Sequence, residues 1–356
     1  MQIISAKLSL GKKVLLRYDI DVAIDHGKVI EDFKLKAGLQ TLRLCLDNAQ
    51  KVILIGHVGR PFATAEDEKY GLPKKLSARP VFNWFLENGF KQGVEFVKTL
   101  EEAQNSQAKF VLLENIRFFH GEVPGAEYHA TCESKTCDVD FAQKLASLGN
   151  FYVNEAFSSY NIAASTTIVP TLLPHAAGLN FEREIRVLTR VRNDPKKPFI
   201  AIMGGAKVKD KLLVIKVLAK KADAVLVGGK LVHEIREEGL RLPKNVMVGK
   251  LNENGFDLAE ETTSAWGSLI SKAAMVVWNG PLGKFEGPKY NQTQKVAEMI
   301  LESDGEVVIG GGDSVAALNQ YGLLEKAEKK AFVSVGGGAM LKLLADGTLP
   351  TIQALD

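Results

Sequence analysis

Two lysines, an aspartate and four glycine-rich segments in the second half of this sequence form a set suited to holding phosphate. The segments read Gly204-Gly205-Ala206-Lys207-Val208-Lys209-Asp210-Lys211, Trp278-Asn279-Gly280-Pro281-Leu282-Gly283-Lys284-Phe285-Glu286, Gly310-Gly311-Gly312-Asp313-Ser314 and Gly336-Gly337-Gly338-Ala339. Three of them follow runs of apolar, largely β-branched residues. A strand that stops in glycines and restarts as a helix exposes unpaired N–H groups at the positive end of a helix dipole. Lys207 and Lys211 are spaced i, i+4 on a helical pattern beginning near Val208, so they share a face and can reach phosphate oxygens as mobile point charges. The bland alternative is a pair of solvated lysines. Asp313 would repel a phosphate unless Mg²⁺ lay between them, although an acid there can also simply offset the dipole. The three consecutive glycines before it favour magnesium. Ser314 reads as the N-cap of a helix over 315–319. Asn279 is placed to donate its amide to phosphate and Glu286 to accept from ribose hydroxyls, whereas Trp278 ends an apolar strand and reads as core. No Walker A motif occurs, nor does a dinucleotide fingerprint followed by an acid.

The first half carries different groups at its strand ends. They are Arg17-Tyr18-Asp19-Ile20-Asp21-Val22, His57-Val58-Gly59-Arg60-Pro61, Glu114-Asn115-Ile116-Arg117-Phe118 and Asn154-Glu155-Ala156-Phe157. Arg60 and Arg117, projecting from adjacent strand ends, suit a small anionic substrate. Either arginine alone would more often be a surface or salt-bridge residue.

The elements that must position these groups alternate along the chain. Strand-like runs are predicted at 13–17, 51–56, 110–113, 151–154, 199–203, 224–227, 274–277, 306–309 and 331–335, with helical periodicity between them, as at 208–222. Such alternation predicts an α/β fold, with parallel sheets covered on both faces and ligands bound beyond the carboxyl ends of the strands. A helix over 179–192, closed by Asn193-Asp194-Pro195, reads as a connector between two nucleotide-fold halves facing each other across a cleft. The predicted domains are 1–177, the connector 178–195, 196–345, and a tail 346–356.

The 356 residues suffice for two cores, and 46% hydrophobic and 24% charged residues are ordinary for a soluble enzyme. A net charge of +3 with scattered basic residues argues against nucleic-acid binding. The three cysteines, Cys45, Cys132 and Cys137, are an odd number with no matching Cys/His pair, which suggests free thiols in a reducing compartment. Neither a signal-peptide core nor a membrane-length apolar run is apparent, so the expectation is a cytoplasmic enzyme without a membrane partner.

Taken together and in order, these strings resemble the phosphoglycerate kinase family over nearly the whole chain. Leu15-Leu16-Arg17-Tyr18-Asp19-Ile20-Asp21-Val22 resembles its N-terminal signature, and His57 to Pro61 and Glu114 to Phe118 its acid-binding loops. The glycine loops at 204–211, 278–281 and 310–314 resemble its nucleotide loops. The resemblance implies two Rossmann-like domains joined by a hinge helix, whose closure brings phosphoglycerate and Mg-nucleotide together. It also implies a tail, here 349–355, that folds back on the first domain. The implied reaction is the glycolytic one, phosphoryl transfer between 1,3-bisphosphoglycerate and ADP giving 3-phosphoglycerate and ATP, with Mg²⁺ as cofactor and a monomer expected. Lys34 would stand in for a catalytic arginine, beside Lys207, Gly311 and Gly312. Asp19, Asp21, His57, Arg60 and Arg117 would shape the acid site. Lys207, Lys211, Gly228, Gly229, Asn279, Pro281, Glu286, Gly310, Gly311, Gly312, Asp313 and Ser314 would bind nucleotide, with Asp313 on the metal.

Several positions depart from the family pattern. The catalytic arginine is Lys34, which keeps the charge but lacks the planar fork. The basic loop after Asn154-Glu155-Ala156-Phe157 reads Ser158-Ser159-Tyr160-Asn161-Ile162-Ala163-Ala164, with the family's arginine at Ile162 and its histidines at Asn161 and Ala164. The first signature carries Asp21 in place of asparagine. The chain is shorter than the family between Gly229 and Trp278, where 254–258 resembles an adenine-side strand, and longer around 124–136. These changes leave two alternatives: a kinase of the same fold acting on another acid, or a nucleotide-binding paralogue without catalysis.

Overall fold

A computed structural model describes residues 1–61, 74–123, 137–205, 208–287 and 289–356. The chain forms two compact units, Met1–Arg183 with Thr348–Asp356, and Glu184–Gly347. Each is built on a six-stranded parallel sheet. The first contains β1 (Lys13–Arg17), β4 (Lys51–Ile55), β5 (Val94–Val97), β6 (Phe110–Leu113), β7 (Phe151–Asn154) and β8 (His175–Ala177), ordered β5-β6-β4-β1-β7-β8. A two-stranded ribbon, β2 (Ile24–Asp25) with β3 (Lys28–Val29), follows β1. The second sheet contains β9 (Phe199–Met203), β10 (Ala224–Val227), β11 (Val246–Val248), β12 (Met275–Asn279), β13 (Glu306–Gly310) and β14 (Phe332–Ser334), ordered β11-β10-β9-β12-β13-β14.

Strands β6, β7, β9, β10 and β12 are buried at every residue, as expected of strands covered on both faces. Register then sets the site edges. Arg17 pairs with both Ile55 and Asn154. In the other unit Val227, Met203, Asn279, Gly310 and Ser334 form one row across five strands. The loop that follows each row opens on a single edge of its sheet.

Strands β5, β8 and β11 are additions to the sequence expectation. All are three or four residues long and lie at or next to sheet edges, too short for a periodic signal. The segment 254–258, expected as a strand, instead lies in a turn closed by one antiparallel bridge between Leu251 and Leu258. Asn252 N–H donates to Asp257 O and Gly255 N–H to Asn252 O, so a local turn satisfies the backbone there. The segment 124–136, with Cys132, lies outside the described residues.

The helix Leu179–Asn193 begins on a buried carboxylate. Glu155, 2% exposed, accepts from the N–H groups of Asn180 and Phe181 in its first turn. Burial raises its pKa well above the usual carboxylate range, and those two amides oppose the shift. Gly178 leaves the room this needs, because a Cβ there would lie 1.8 Å from Glu155 Oε2. Gly178→Ala should therefore destabilise the chain by about 2–4 kcal/mol in urea unfolding, through displacement of the buried cap.

Candidate functional site

In the first unit the carboxyl ends of β1, β4, β6 and β7 bring together four cations and a histidine. Arg17 is only 1% exposed. Its Nε donates to Ser165 Oγ (3.0 Å), one terminal nitrogen to Tyr18 O (2.8 Å) and the other to His57 Nδ1 (2.7 Å). His57 is buried, and burial together with the charges of Arg17, Arg117, Lys34 and Arg60 holds its imidazole well below the usual histidine range. Arg117 is pushed down to about 10 by burial and by Arg17, against the pull of Asp21 and Glu122. A guanidinium feels such a shift only where positive charge is crowded and poorly hydrated. That local field selects for an anion.

The loop after β4 is clamped between two of the expected residues. Gly59 N–H donates to Asp21 Oδ1 (2.8 Å), and Arg117 donates to Gly59 O (2.7 Å). Gly59 sits at φ +61°, and a Cβ would lie 2.6 Å from Leu76 Cδ2, so only glycine fits. Lys34 Nζ donates to the carbonyl of Asp21 (2.8 Å), while Arg60 is exposed. Asp19, in contrast, is largely consumed. Its carboxylate accepts from Ser158 N–H (2.9 Å), Ser158 Oγ (2.8 Å) and Ser159 Oγ (3.1 Å). The segment that carries the family's basic loop thus packs serines onto Asp19, and Ile162 stands 60% exposed. Glu114 and Asn115 have structural partners: Glu114 binds Ala78 N–H and Ser77 Oγ, and Asn115 donates to Val58 O and Leu76 O.

Sequence reasoning missed the buried pair Glu122 and Ser165. Glu122 accepts from Ser165 Oγ (2.6 Å) and N–H (3.1 Å). Burial raises its pKa, opposed first by Arg17 and then by those two bonds. A lone glutamate and a serine more than forty positions apart give no local signal, which is why neither was singled out.

In the second unit the glycine loops meet at the ends of β9, β12 and β13. Gly204 N–H donates to Asn279 O (2.9 Å), Gly205 N–H to Pro281 O (2.6 Å) and Gly229 N–H to Leu282 O (2.6 Å). Lys211 Nζ donates to Gly204 O, across the mouth of the first loop. Gly228 packs on Leu282, its absent Cβ 2.9 Å from Cδ2. Lys207 lies outside the described residues.

The helix after β13 is Gly312–Gln320 and is capped by Gly311 at φ +105°, a conformation suited to glycine. Ser314 is therefore not the cap. It lies inside the first turn, where its hydroxyl donates to Gly310 O (2.9 Å) and accepts from Gly280 N–H (2.8 Å). The expected cap fails because Gly311 already supplies the non-helical turn. Asp313 is exposed on that same turn. Asn279 is 3% exposed, and its Nδ2 has no partner among the described residues. A buried amide donor left open beside Gly311 is a position where a ligand oxygen fits. Glu286 is exposed, with Oε2 accepting from Phe285 N–H (3.2 Å). Trp278 is core, as expected, its indole N–H donating to Gly280 O (2.8 Å).

The phosphoglycerate kinase family model matches residues 5–237 and 234–347. Its two pieces overlap at residues 234–237. The phosphoglycerate kinase of Dictyoglomus turgidum is 33% identical over 399 residues, covering 97% of this chain and 96% of the relative. That of Desulfovibrio desulfuricans is 33% identical over 396 residues at the same coverage. Among solved structures, phosphoglycerate kinase from Pyrococcus horikoshii is 24% identical with a TM-score of 0.82, covering 100% of this chain and 98% of that one. The enzyme from Coxiella burnetii gives a TM-score of 0.77 at 24% identity, with 99% and 98% covered. The chain belongs to the phosphoglycerate kinase family, whose members are phosphotransferases.

The depressed pKa of His57 gives a signed prediction. The unfolded state takes up the histidine proton near pH 6.5 and the folded state only well below it, so folding stability is intact above that pH and is lost as pH falls through it. The slope is up to about 1.4 kcal/mol per pH unit from this group. Urea midpoints measured from neutral to mildly acid pH should fall, and His57→Gln should flatten that part of the curve.

Proposed function

We propose that this chain is a phosphoglycerate kinase, transferring a phosphoryl group reversibly between 1,3-bisphosphoglycerate and ADP. The observation that carries the reading is the convergence of Arg17, Lys34, Arg60 and Arg117 on a neutral His57, a strand-end field suited to an anion. The glycine-amide edge of the second sheet supplies the matching phosphate cradle.

The acceptor carboxylate of 3-phosphoglycerate is ionised at neutral pH, so the reaction needs no general base. Alignment and charge neutralisation do the work of an in-line transfer. In this reading Arg60 and Arg117 bind the acid, with Asp21 holding the Gly59 turn and His57 donating a hydrogen bond. Lys34 takes the catalytic arginine's place as a single point charge. Lys207 and Lys211 hold phosphate oxygens, and the amides of Gly311 and Gly312 at the helix start stabilise the transferring group. Asn279 Nδ2 donates to the nucleotide phosphates, and Glu286 accepts from ribose. Gly228, Gly229, Pro281, Gly310 and Ser314 shape the cradle.

Asp313 fits a magnesium site: it is a single exposed carboxylate at the amide-rich turn, and Mg²⁺ is commonly held by one or two carboxylates plus phosphates and waters. Bound there, the ion would neutralise charge on the phosphate oxygens. Among the described residues no helix is long and apolar enough to cross a membrane. A cytoplasmic monomer acting on small molecules alone completes the proposal.

A coupled assay with 3-phosphoglycerate and Mg-ATP tests it. Magnesium-dependent turnover is expected, and folded protein that binds Mg-ADP without turnover would overturn the reading. Lys211→Ala should lower kcat by about a hundredfold, in the range for losing one transition-state phosphate contact. Ile162→Arg, restoring a cation where the side chain is exposed, should lower the KM for 3-phosphoglycerate about tenfold, since a charge-assisted hydrogen bond is worth roughly 1.5–3 kcal/mol.

A further inference from the structure

We propose that Glu122 and Ser165, acting through Arg17, are positioning residues that lock His57 as a neutral donor with its proton on Nε2. The assignment follows from what each group can do. Arginine carries only donors and does not deprotonate in proteins. At 2.7 Å from the Arg17 terminal nitrogen, His57 Nδ1 must therefore present its lone pair. A neutral imidazole has one N–H, so it lies on Nε2. Protonating Nδ1 would set two donors against each other in a buried contact. Nε2 is 3.8 Å from Asp21 Oδ2, beyond hydrogen-bond reach, so its proton is left for another acceptor.

The orientation of Arg17 is fixed from its other side by the same reasoning. Ser165 has one hydroxyl hydrogen, and it goes to Glu122 Oε1 at 2.6 Å. Its oxygen then accepts from Arg17 Nε at 3.0 Å. Glu122 is held in place by Ser165 N–H at 3.1 Å and, through its own carbonyl, by Ala164 N–H at 2.9 Å. These two amides come from consecutive residues at the start of a π-helical turn, Ala164–Ile168, so one short element orients the carboxylate. Every bond in the chain from Arg17 to Glu122 thus has one permitted direction. Among the described residues Arg17 has hydroxyl, carbonyl and imidazole partners, and two carboxylates each lie one hydroxyl away. They are Glu122 through Ser165 and Asp19 through Ser159, whose Oγ is 3.4 Å from the terminal nitrogen that meets His57. The groups acting on the ring are Arg17, Arg117, Lys34 and Arg60, with Asp21 nearest Nε2. Burial and those four charges disfavour an imidazolium, in agreement with the geometry.

The consequence for the acid rests on the phosphoglycerate kinase reading: His57 offers it one N–H in a fixed direction and is neither an acid nor a base. The tautomer does not rest on that reading and can be measured on the ligand-free chain by ¹⁵N NMR of the imidazole nitrogens. The expected result is one neutral form at neutral pH, with a pyridine-type Nδ1 and a pyrrole-type Nε2. A protonated Nδ1 in the wild-type chain, as either the other tautomer or the imidazolium, overturns the proposal. Ser165→Ala should mix the two tautomers and raise the KM for 3-phosphoglycerate about fivefold with little change in kcat, while Ser165→Thr should restore both. An unchanged nitrogen pattern in both Ser165→Ala and Glu122→Gln would remove the relay. An intact pattern in a chain that turns over no 3-phosphoglycerate would count against the kinase reading alone.

Discussion

A parallel sheet returns its chain over one face after every strand, so all of its strands end on the same edge. Everything chemical in this chain depends on that constraint. Two such edges exist, one in each unit, and each gathers residues that are distant in sequence into one row. Arg17 is in register with Ile55 and Asn154, just before the turns that carry His57 and Glu155. Asn279 is in register with Met203 and Gly310, just before the glycine loops. Because backbone hydrogen bonds run out at the last paired residue, each edge also presents unsatisfied amides and carbonyls that loops, caps or ligands must cover.

The two edges meet that demand differently. At the edge of the second sheet, backbone meets backbone: loop amides of Gly204, Gly205 and Gly229 close on carbonyls of Asn279, Pro281 and Leu282. At the edge of the first sheet the work falls to charged side chains, and their mutual balance decides the outcome. Arg17 sits almost wholly out of water, where an unpaired guanidinium would cost several kcal/mol. Its compensation comes through two hydroxyls, Ser165 to Glu122 and Ser159 to Asp19. The serines of the altered loop and the carboxylates around them thus form one arrangement. The resulting polar network keeps the cations around it ordered.

This difference explains which parts were legible in the sequence. Long buried strands such as β1, β9 and β12 announce themselves as apolar runs, and glycine loops announce themselves because no other residue fits their backbone. Gly59 at φ +61° and Gly311 at φ +105° are of that kind. Short edge strands carry no period, so β5, β8 and β11 were not foreseen. Ser314 has the residue type of an N-cap, yet Gly311 takes that position and leaves the serine to join Gly280 to Gly310. Glu122 and Ser165 were invisible for a stronger reason. Their role exists only once the π-helical turn sets one amide against the Glu122 carboxylate and the preceding one against its backbone carbonyl, and no propensity records that.

The same contrast sets how much freedom each edge has. A cradle of backbone amides is set by loop shape: a Cβ at Gly204 or Gly280 would meet another backbone, and Gly311 sits at φ +105°, where side chains are strained. A cluster of side-chain charges is set only by its sum and its geometry. Lys34, Asp21 and the serines at 158 and 159 are compatible with such a cluster because the buried guanidinium of Arg17 keeps its hydroxyl-linked carboxylates and four cations still surround His57. Charge can therefore be redistributed at the edge of the first sheet, whereas the backbone contacts at the edge of the second leave less room for exchange.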